Sequence, residues 1–217
     1  MDAIITLSQL YPAVFYSLVF FVSLMVGSFL NVVIYRLPIM MERSWQQEYQ
    51  SYFSEGEPTP HDKNSSASEE VFNLVKPDST CPSCGHKIRA WENIPVISYL
   101  FLKGKCAKCK VGISVRYPLV ELFTALACTF AAYQFGVTSQ ALWAVLFTYI
   151  LVALLFIDLD KMLLPDQLTL PLLWLGLLLS TQHIFVGTTD AIIGAAAGYL
   201  SLWSVYWLFK LATGKEG

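Results

Sequence analysis

Ile157-Asp158-Leu159-Asp160-Lys161-Met162-Leu163-Leu164-Pro165-Asp166 packs three carboxylates and a lysine between two long apolar runs. Ala141 to Ile157 on one side contains no Asp, Glu, Lys or Arg, and neither does Gln167 to Thr189 on the other. A helix that crosses a bilayer needs roughly 20 apolar residues, so this order reads as two membrane helices joined at a charged turn. Ionisable groups at the end of a membrane helix are costly and usually mark a functional path or site. Two readings stand side by side: an ordinary polar turn, and a carboxylate cluster with a task.

Working outward, the composition decides the class. Of 217 residues, 55% are hydrophobic and 14% charged, and the mean hydropathy is positive. A soluble domain of this length carries more charge and shorter apolar runs; the expectation is an all-α polytopic membrane protein in contact with the lipid bilayer. The net charge of −2 hides a segregation. Eleven of the fourteen Lys and Arg lie between Arg36 and Arg116, and the others are Lys161, Lys210 and Lys215. The pooled charge points to no nucleic-acid partner. No basic residue precedes Arg36, so the start lacks the charged region of a cleaved signal peptide and reads as a retained first span.

About five transmembrane helices are expected. The first lies within residues 1–35, with Tyr11 to Tyr35 free of charge. Asn31 inside it is expected to hydrogen-bond a neighbouring helix. Arg36-Leu37-Pro38 is expected to stop it, since Pro disfavours continuation. Residues 36–117 form a loop domain, with Ser54 to Glu70 as a flexible insertion of polar and acidic residues. Residues 118–210 hold four more spans: Leu119 to about Phe135, Leu142 to Ile157, Leu168 to about Phe185, and Ala191 to Phe209. Glu121, in the first turns of the second span, is expected to reach water or Arg116. The basic residues at the ends of the loop, Arg36, Arg43, Lys110 and Arg116, put it on the cytoplasmic side. Alternation then puts Lys161, Lys210 and Lys215 on that side, the N-terminus outside, and Asp158 at the cytoplasmic boundary.

Within the loop, Cys81-Pro-Ser-Cys84-Gly-His and Cys106-Ala-Lys-Cys109-Lys are two CxxC knuckles. Their separation slightly exceeds the usual metal spacing. Four thiolates suit a closed tetrahedral Zn²⁺ site, so Cys81, Cys84, Cys106 and Cys109 are the expected ligands of a small zinc-ribbon-like domain. Two disulfides are the rival, opposed by the reducing cytosol; a redox CxxC pair lacks its βαβ context. Gly85 and Gly112 are expected at the sharp bends after the knuckles. Lys87, Arg89, Lys103, Lys105, Lys108 and Lys110 are available to offset the surplus negative charge. His86 is expected to face solvent or to lie just outside the ligand set. Cys128 falls within a span and reads as a small buried hydrophobe.

The carboxylates alone fit a proton relay, an ion ligand, or half of an aspartyl dyad, in which one acid stays protonated while the other activates water. Asp158 and Asp160 point to different faces of a helix, and Pro165 intervenes before Asp166. The order of motifs is more specific. Gly27-Ser28-Phe29-Leu30-Asn31-Val32-Val33-Ile34-Tyr35-Arg36-Leu37-Pro38, the paired knuckles, Trp91-Glu92-Asn93-Ile94-Pro95, Arg116-Tyr117-Pro118-Leu119-Val120-Glu121, and Asp158 through Leu164-Pro165-Asp166 follow one another. In this combination the chain resembles the type IV prepilin leader peptidases/N-methyltransferases, a family of membrane aspartyl proteases.

The resemblance implies two activities in a bacterial inner membrane. One is cleavage of the leader of prepilins or pseudopilins after Gly; the other is methylation of the new N-terminus with S-adenosylmethionine. It implies Asp158 as the first catalytic Asp and Asp166 as a supporting residue. It places the second catalytic Asp in a Gly-x-Gly-Asp motif, which residues 1–217 do not contain; residues 211–217 read as the approach to it. No glycine-rich strand–turn–helix fingerprint is present, so S-adenosylmethionine rests on the resemblance alone. A zinc-folded membrane scaffold that binds pilin-like helices, and an ion or proton path through the Asp158 cluster, are the alternatives.

Overall fold

The computed structural model describes residues 11–54 and 72–214. The expected insertion from Ser54 to Glu70 and the last three residues fall almost wholly outside them. Among the described residues all regular structure is helical, apart from two single antiparallel bridges in the cysteine loop. The helices are α1 (Pro12–Ser54), α2 (Ile97–Phe101), α3 (Arg116–Phe135), α4 (Ser139–Lys161), α5 (Asp166–Ser180) and α6 (Thr188–Thr213). Four of them, α1, α3, α4 and α6, are long and apolar enough to cross a membrane; α5 is a shorter apolar helix of 15 residues. The chain forms two units, one ending at Pro165 and one beginning at Asp166.

In the first unit α1, α3 and α4 pack on one another. Helical spacing decides which side chains meet. Ser23, Gly27, Leu30, Ile34 and Leu37 of α1 fall on one face, while Leu18, Phe21, Met25 and Phe29 form an exposed stripe on another. Such an apolar stripe suits lipid rather than water. On α3, Val120, Thr124, Cys128 and Ala132 recur every four residues and are fully buried. Gly27 sits where any side chain would collide: an added Cβ would lie 2.9 Å from Glu121 Cα and 3.2 Å from Thr124 Cβ. Small residues allow this approach, and dispersion and short hydrogen bonds then hold the helices together. Ser23 Oγ and Tyr149 OH lie 2.8 Å apart between α1 and α4. Asn31 Nδ2 donates to the Tyr117 carbonyl at 3.1 Å, the interhelix role expected of it.

The first helix does not stop at Pro38. It runs 43 residues to Ser54, with Pro38 inside it. A proline within a helix removes one hydrogen bond and crowds the previous turn, at roughly 3 kcal/mol or more. Tertiary contacts offset that here. Pro38 is fully buried. The buried Arg36 guanidinium donates to the carbonyls of Asn73 (3.0 Å) and Pro77 (2.6 Å). Arg43, beyond the proline, lies over the Phe72 ring at 4.2 Å. The segment that follows the insertion therefore braces α1 on both sides of Pro38. The expected boundary at residues 35–36 is replaced by a continuous helix.

α3 ends at Gly136, at φ +64. Thr138 then caps α4, its Oγ1 accepting the Ala141 N–H at 3.3 Å, a side-chain bond that satisfies an otherwise unpaired donor. In the second unit α5 and α6 pack together. No side chain of α6 is buried among the described residues, which for so apolar a helix fits a surface meant for lipid or protein.

Candidate functional site

The cysteine loop is built from two copies of one small device. In the first, Cys81 N–H donates to His86 O and Gly85 N–H to Cys81 O, both at 2.9 Å. In the second, Cys106 N–H donates to Val111 O at 2.8 Å and Lys110 N–H to Cys106 O at 3.1 Å. Each closes with one antiparallel bridge, Thr80 with Lys87 and Lys105 with Gly112. The bend after the first knuckle is Gly85, at φ +65. The equivalent bend after the second is Lys110, at φ +61, and not Gly112. Lys110 therefore carries a left-handed backbone that glycine would tolerate better.

These turns aim all four thiols at one point. The Sγ atoms of Cys81, Cys84, Cys106 and Cys109 lie within 4.8 Å of one another. Cys81 and Cys109 are 3.7 Å apart, and Cys84 and Cys106 are 4.0 Å apart. A disulfide requires about 2.05 Å, so neither pair is bonded. Tetrahedral Zn²⁺ with bonds of 2.3 Å sets sulfur–sulfur edges of about 3.8 Å, and both separations suit that geometry. The N–H groups of Cys109 and Lys108 point at the Cys106 sulfur and bring its pKa down to about 6. Val111 N–H pulls Cys109 down too, but burial and the other thiols outweigh it and leave Cys109 at about 11. The donor set is closed, with no ligand position open to a substrate. It fits a structural metal.

Two of the expected compensating cations have other partners. Lys87 Nζ lies 2.5 Å from Asp78 Oδ2 and, as hydrogen-bond donor, holds that carboxyl below its usual range. Arg89 lies over the Trp91 ring at 5.3 Å. His86 is half-buried outside the ligand set, its Nε2 3.2 Å from Glu92 Oε2. Arg89 N–H donates to the same carboxylate at 3.1 Å and is the main reason its pKa is lowered.

The carboxylate stretch is mostly helix rather than turn. α4 continues through Asp158 and Asp160 to Lys161, and Met162 ends it at φ +50 with its N–H on Asp158 O at 2.8 Å. Asp158 is exposed, and its carboxylate has no hydrogen-bonding or ionic partner among the described residues. Its neighbours are engaged. Asp160 pairs with Arg116 of α3. Lys161 pairs with Glu42 of α1 at 3.1 Å. Arg116 also lies 5.9 Å from the centre of the Phe156 ring. The end of α4 is thus tied to both neighbouring helices by side chains that flank Asp158. Pro165 is fully buried and closes the first unit; Asp166 is exposed and opens α5 in the second.

Glu121 departs from expectation. It reaches neither water nor Arg116; it is 7% exposed and accepts the Val96 N–H at 2.8 Å. Sequence reading also missed the Arg36 clamp and both ion pairs beside Asp158. The signal for the pairs was the run of charge at residues 158–161, but their partners lie 44 and 119 residues away.

Comparison with known proteins agrees with this architecture. Residues 21–135 match the bacterial peptidase A24 N-terminal domain, and residues 145–216 match the type IV leader peptidase family. A prepilin leader peptidase/N-methyltransferase of Aeromonas salmonicida is 57% identical over 217 residues, all of this chain and 72% of the relative. The Pseudomonas aeruginosa protein of the same name is 53% identical over 207 residues, 95% of this chain and 69% of the relative. That of Neisseria gonorrhoeae is 48% identical over 194 residues, covering 89% and 65%. No solved structure matches the chain. With its N-terminal and peptidase parts both matched and in order, the chain belongs to the type IV leader peptidase family of multi-pass membrane proteins.

Proposed function

We propose that this protein removes the N-terminal leader of type IV prepilins or pseudopilins and methylates the amino group it exposes. The observation that carries the proposal is Asp158: an exposed carboxylate without a partner among the described residues, at the end of an apolar helix long enough to span, in a chain of the leader peptidase family. In the aspartyl reading, cleavage follows Gly at the cytoplasmic membrane face of the bacterial inner membrane. The basic loop ends, Arg36 and Arg116, favour that side.

The chemistry needs two carboxyl groups sharing one proton. The ionised one takes a proton from water, and the water oxygen bonds to the scissile carbonyl carbon. The protonated one donates to the carbonyl oxygen; the C–N bond then breaks and the leaving amine receives a proton. Asp158 is one member. The other is assigned by resemblance to a Gly-x-Gly-Asp motif that residues 1–217 do not contain. Asp166 is proposed to support the site from the start of α5. The cysteine centre takes no part in the chemistry; its four thiolates would hold Zn²⁺ and fold the loop.

S-adenosylmethionine would supply the methyl group to the new amine, which loses a proton. Two single β-bridges are the only strand pairing among the described residues, so no strand–turn–helix cradle for a nucleotide-like group is present there.

The test is cleavage of a prepilin in solubilised membranes by the chain continued through a Gly-x-Gly-Asp segment. Asp158→Asn is expected to lower kcat by about three orders of magnitude or more while metal content stays unchanged. Full cleavage by that variant removes Asp158 from the mechanism.

A further inference from the structure

Glu121 is the only buried acidic residue among the described residues. A carboxylate taken out of water must be hydrogen-bonded or it is strongly destabilising. Its hydrogen-bond donor is the Val96 N–H, at 2.8 Å, with the buried Ser28 of α1 on the same side of the bundle. That donor is unusual. Val96 has φ +57 and ψ −47, and Ile97 N–H reaches back to Pro95 O at 2.5 Å. That is a γ-turn of the rare positive-φ kind, strained for any residue and more so for a β-branched one. Such strain persists only where surrounding contacts hold it.

The surroundings show what holds it. Pro95 is buried. The preceding 3-10 turn, Ala90–Asn93, is tied to the first knuckle by the His86–Glu92 contact. Beneath Glu121, Gly27 lets α1 touch the α3 backbone, and Asn31 donates to Tyr117 O. The turn from the cysteine loop thus ends on the most closely packed junction of the bundle. α3 also opens at Arg116, which pairs with Asp160, two residues from Asp158. The loop and the end of α4 are therefore both referenced to one helix.

We propose that Glu121 is a positioning residue: its buried carboxylate latches the four-cysteine loop onto α1 and α3 by holding the Val96 amide in a strained turn. The latch explains a buried acid that neither metal binding nor lipid contact requires. Only its kinetic consequence rests on the proposed function.

The experiment is hydrogen–deuterium exchange on the full chain in detergent, read on the peptide Ile94–Ser98, with metal content measured beside it. Glu121→Ala is expected to raise exchange of that peptide about tenfold or more, the size of losing a hydrogen bond to a charged group. Metal content and protection of α4 stay unchanged. Glu121→Gln, whose side-chain oxygen still accepts, restores protection to within about threefold. Val96→Gly, which keeps the N–H and relieves φ +57, leaves the peptide protected. On prepilin cleavage, Glu121→Ala raises KM more than it lowers kcat, and Glu121→Gln rescues it. Unchanged exchange in Glu121→Ala overturns the latch, as does equal loss in the Ala and Gln variants. If Glu121→Ala unfolds the bundle, Glu121→Met, which fills the space and accepts nothing, decides in the same way. If the chain continued through a Gly-x-Gly-Asp segment, with Glu121 and Asp158 intact, cleaves no prepilin but shows this exchange pattern, the functional reading is overturned and the latch stands.

Discussion

The cysteine loop and the end of α4 solve opposite problems. The loop brings four like groups to one point and leaves no position open. The end of α4 does the reverse: Asp160 and Lys161 are drawn off to Arg116 and Glu42, and Asp158 is left without a partner among the described residues. A closed set of donors stabilises a fold. A carboxylate kept clear of cations is available for chemistry. The difference lies in what the surroundings do: backbone turns within a few residues gather the first set of groups, and ion pairs to neighbouring helices draw the charges away from the second.

Breaking the closed site should have the largest effect. Cys81→Ser with Cys84→Ser removes half the donors, and structural zinc sites contribute on the order of 10 kcal/mol to folding. The expected outcome is loss of bound zinc by elemental analysis and proteolysis within residues 80–113, with the helical content of the membrane bundle retained. Unchanged zinc would dissolve the contrast.

A change in the packing beneath both regions comes next. Gly27→Ala places a Cβ against the α3 backbone at 2.9 Å from Glu121 Cα. Overpacking of that kind costs about 1–3 kcal/mol, expected as a lower unfolding midpoint in detergent and faster exchange at both Val96 and the end of α4.

Arg116→Ala sharpens the comparison on the open side. The Arg116–Asp160 pair is partly exposed, so the loss in stability is expected to be about 1 kcal/mol or less. Its larger consequence is local: Asp160 is left free beside Asp158. Cleavage should fall while zinc content and the denaturation midpoint barely move.

Lys110→Gly is the smallest change and has the opposite sign. It replaces a residue at φ +61 by one without the left-handed penalty, and glycine's greater freedom in the unfolded chain trims the gain to about 0.5 kcal/mol. Slower zinc release to a chelator is the expected readout, with no effect on cleavage.

What could be read from the chain follows the range of the interaction. The knuckles were legible because a CxxC spacing carries its own turn, and the spans because a charge-free run of that length has few other uses. Asn31 was legible as a polar group in an apolar helix that had to find a partner. Longer-range effects were not. Local propensity stops a helix at Pro38; the clamp that carries α1 through it comes from Phe72, Asn73 and Pro77. Proximity favoured Arg116 as the partner of Glu121, yet the amide it holds lies 25 residues away in sequence. Glycine was expected at each knuckle bend, but the second bend falls two residues before Gly112, because the repeat fixes its position regardless of residue type. At the end of α4 the run of charge was legible, but the Arg116–Asp160 and Lys161–Glu42 pairs were not.

The unbroken first helix also sets a distance. Forty-three residues make a rod of roughly 65 Å, about twice the thickness of a bilayer's hydrocarbon core. Its last turns, with exposed Trp45, Tyr49 and Tyr52, are therefore surplus to what a single crossing needs.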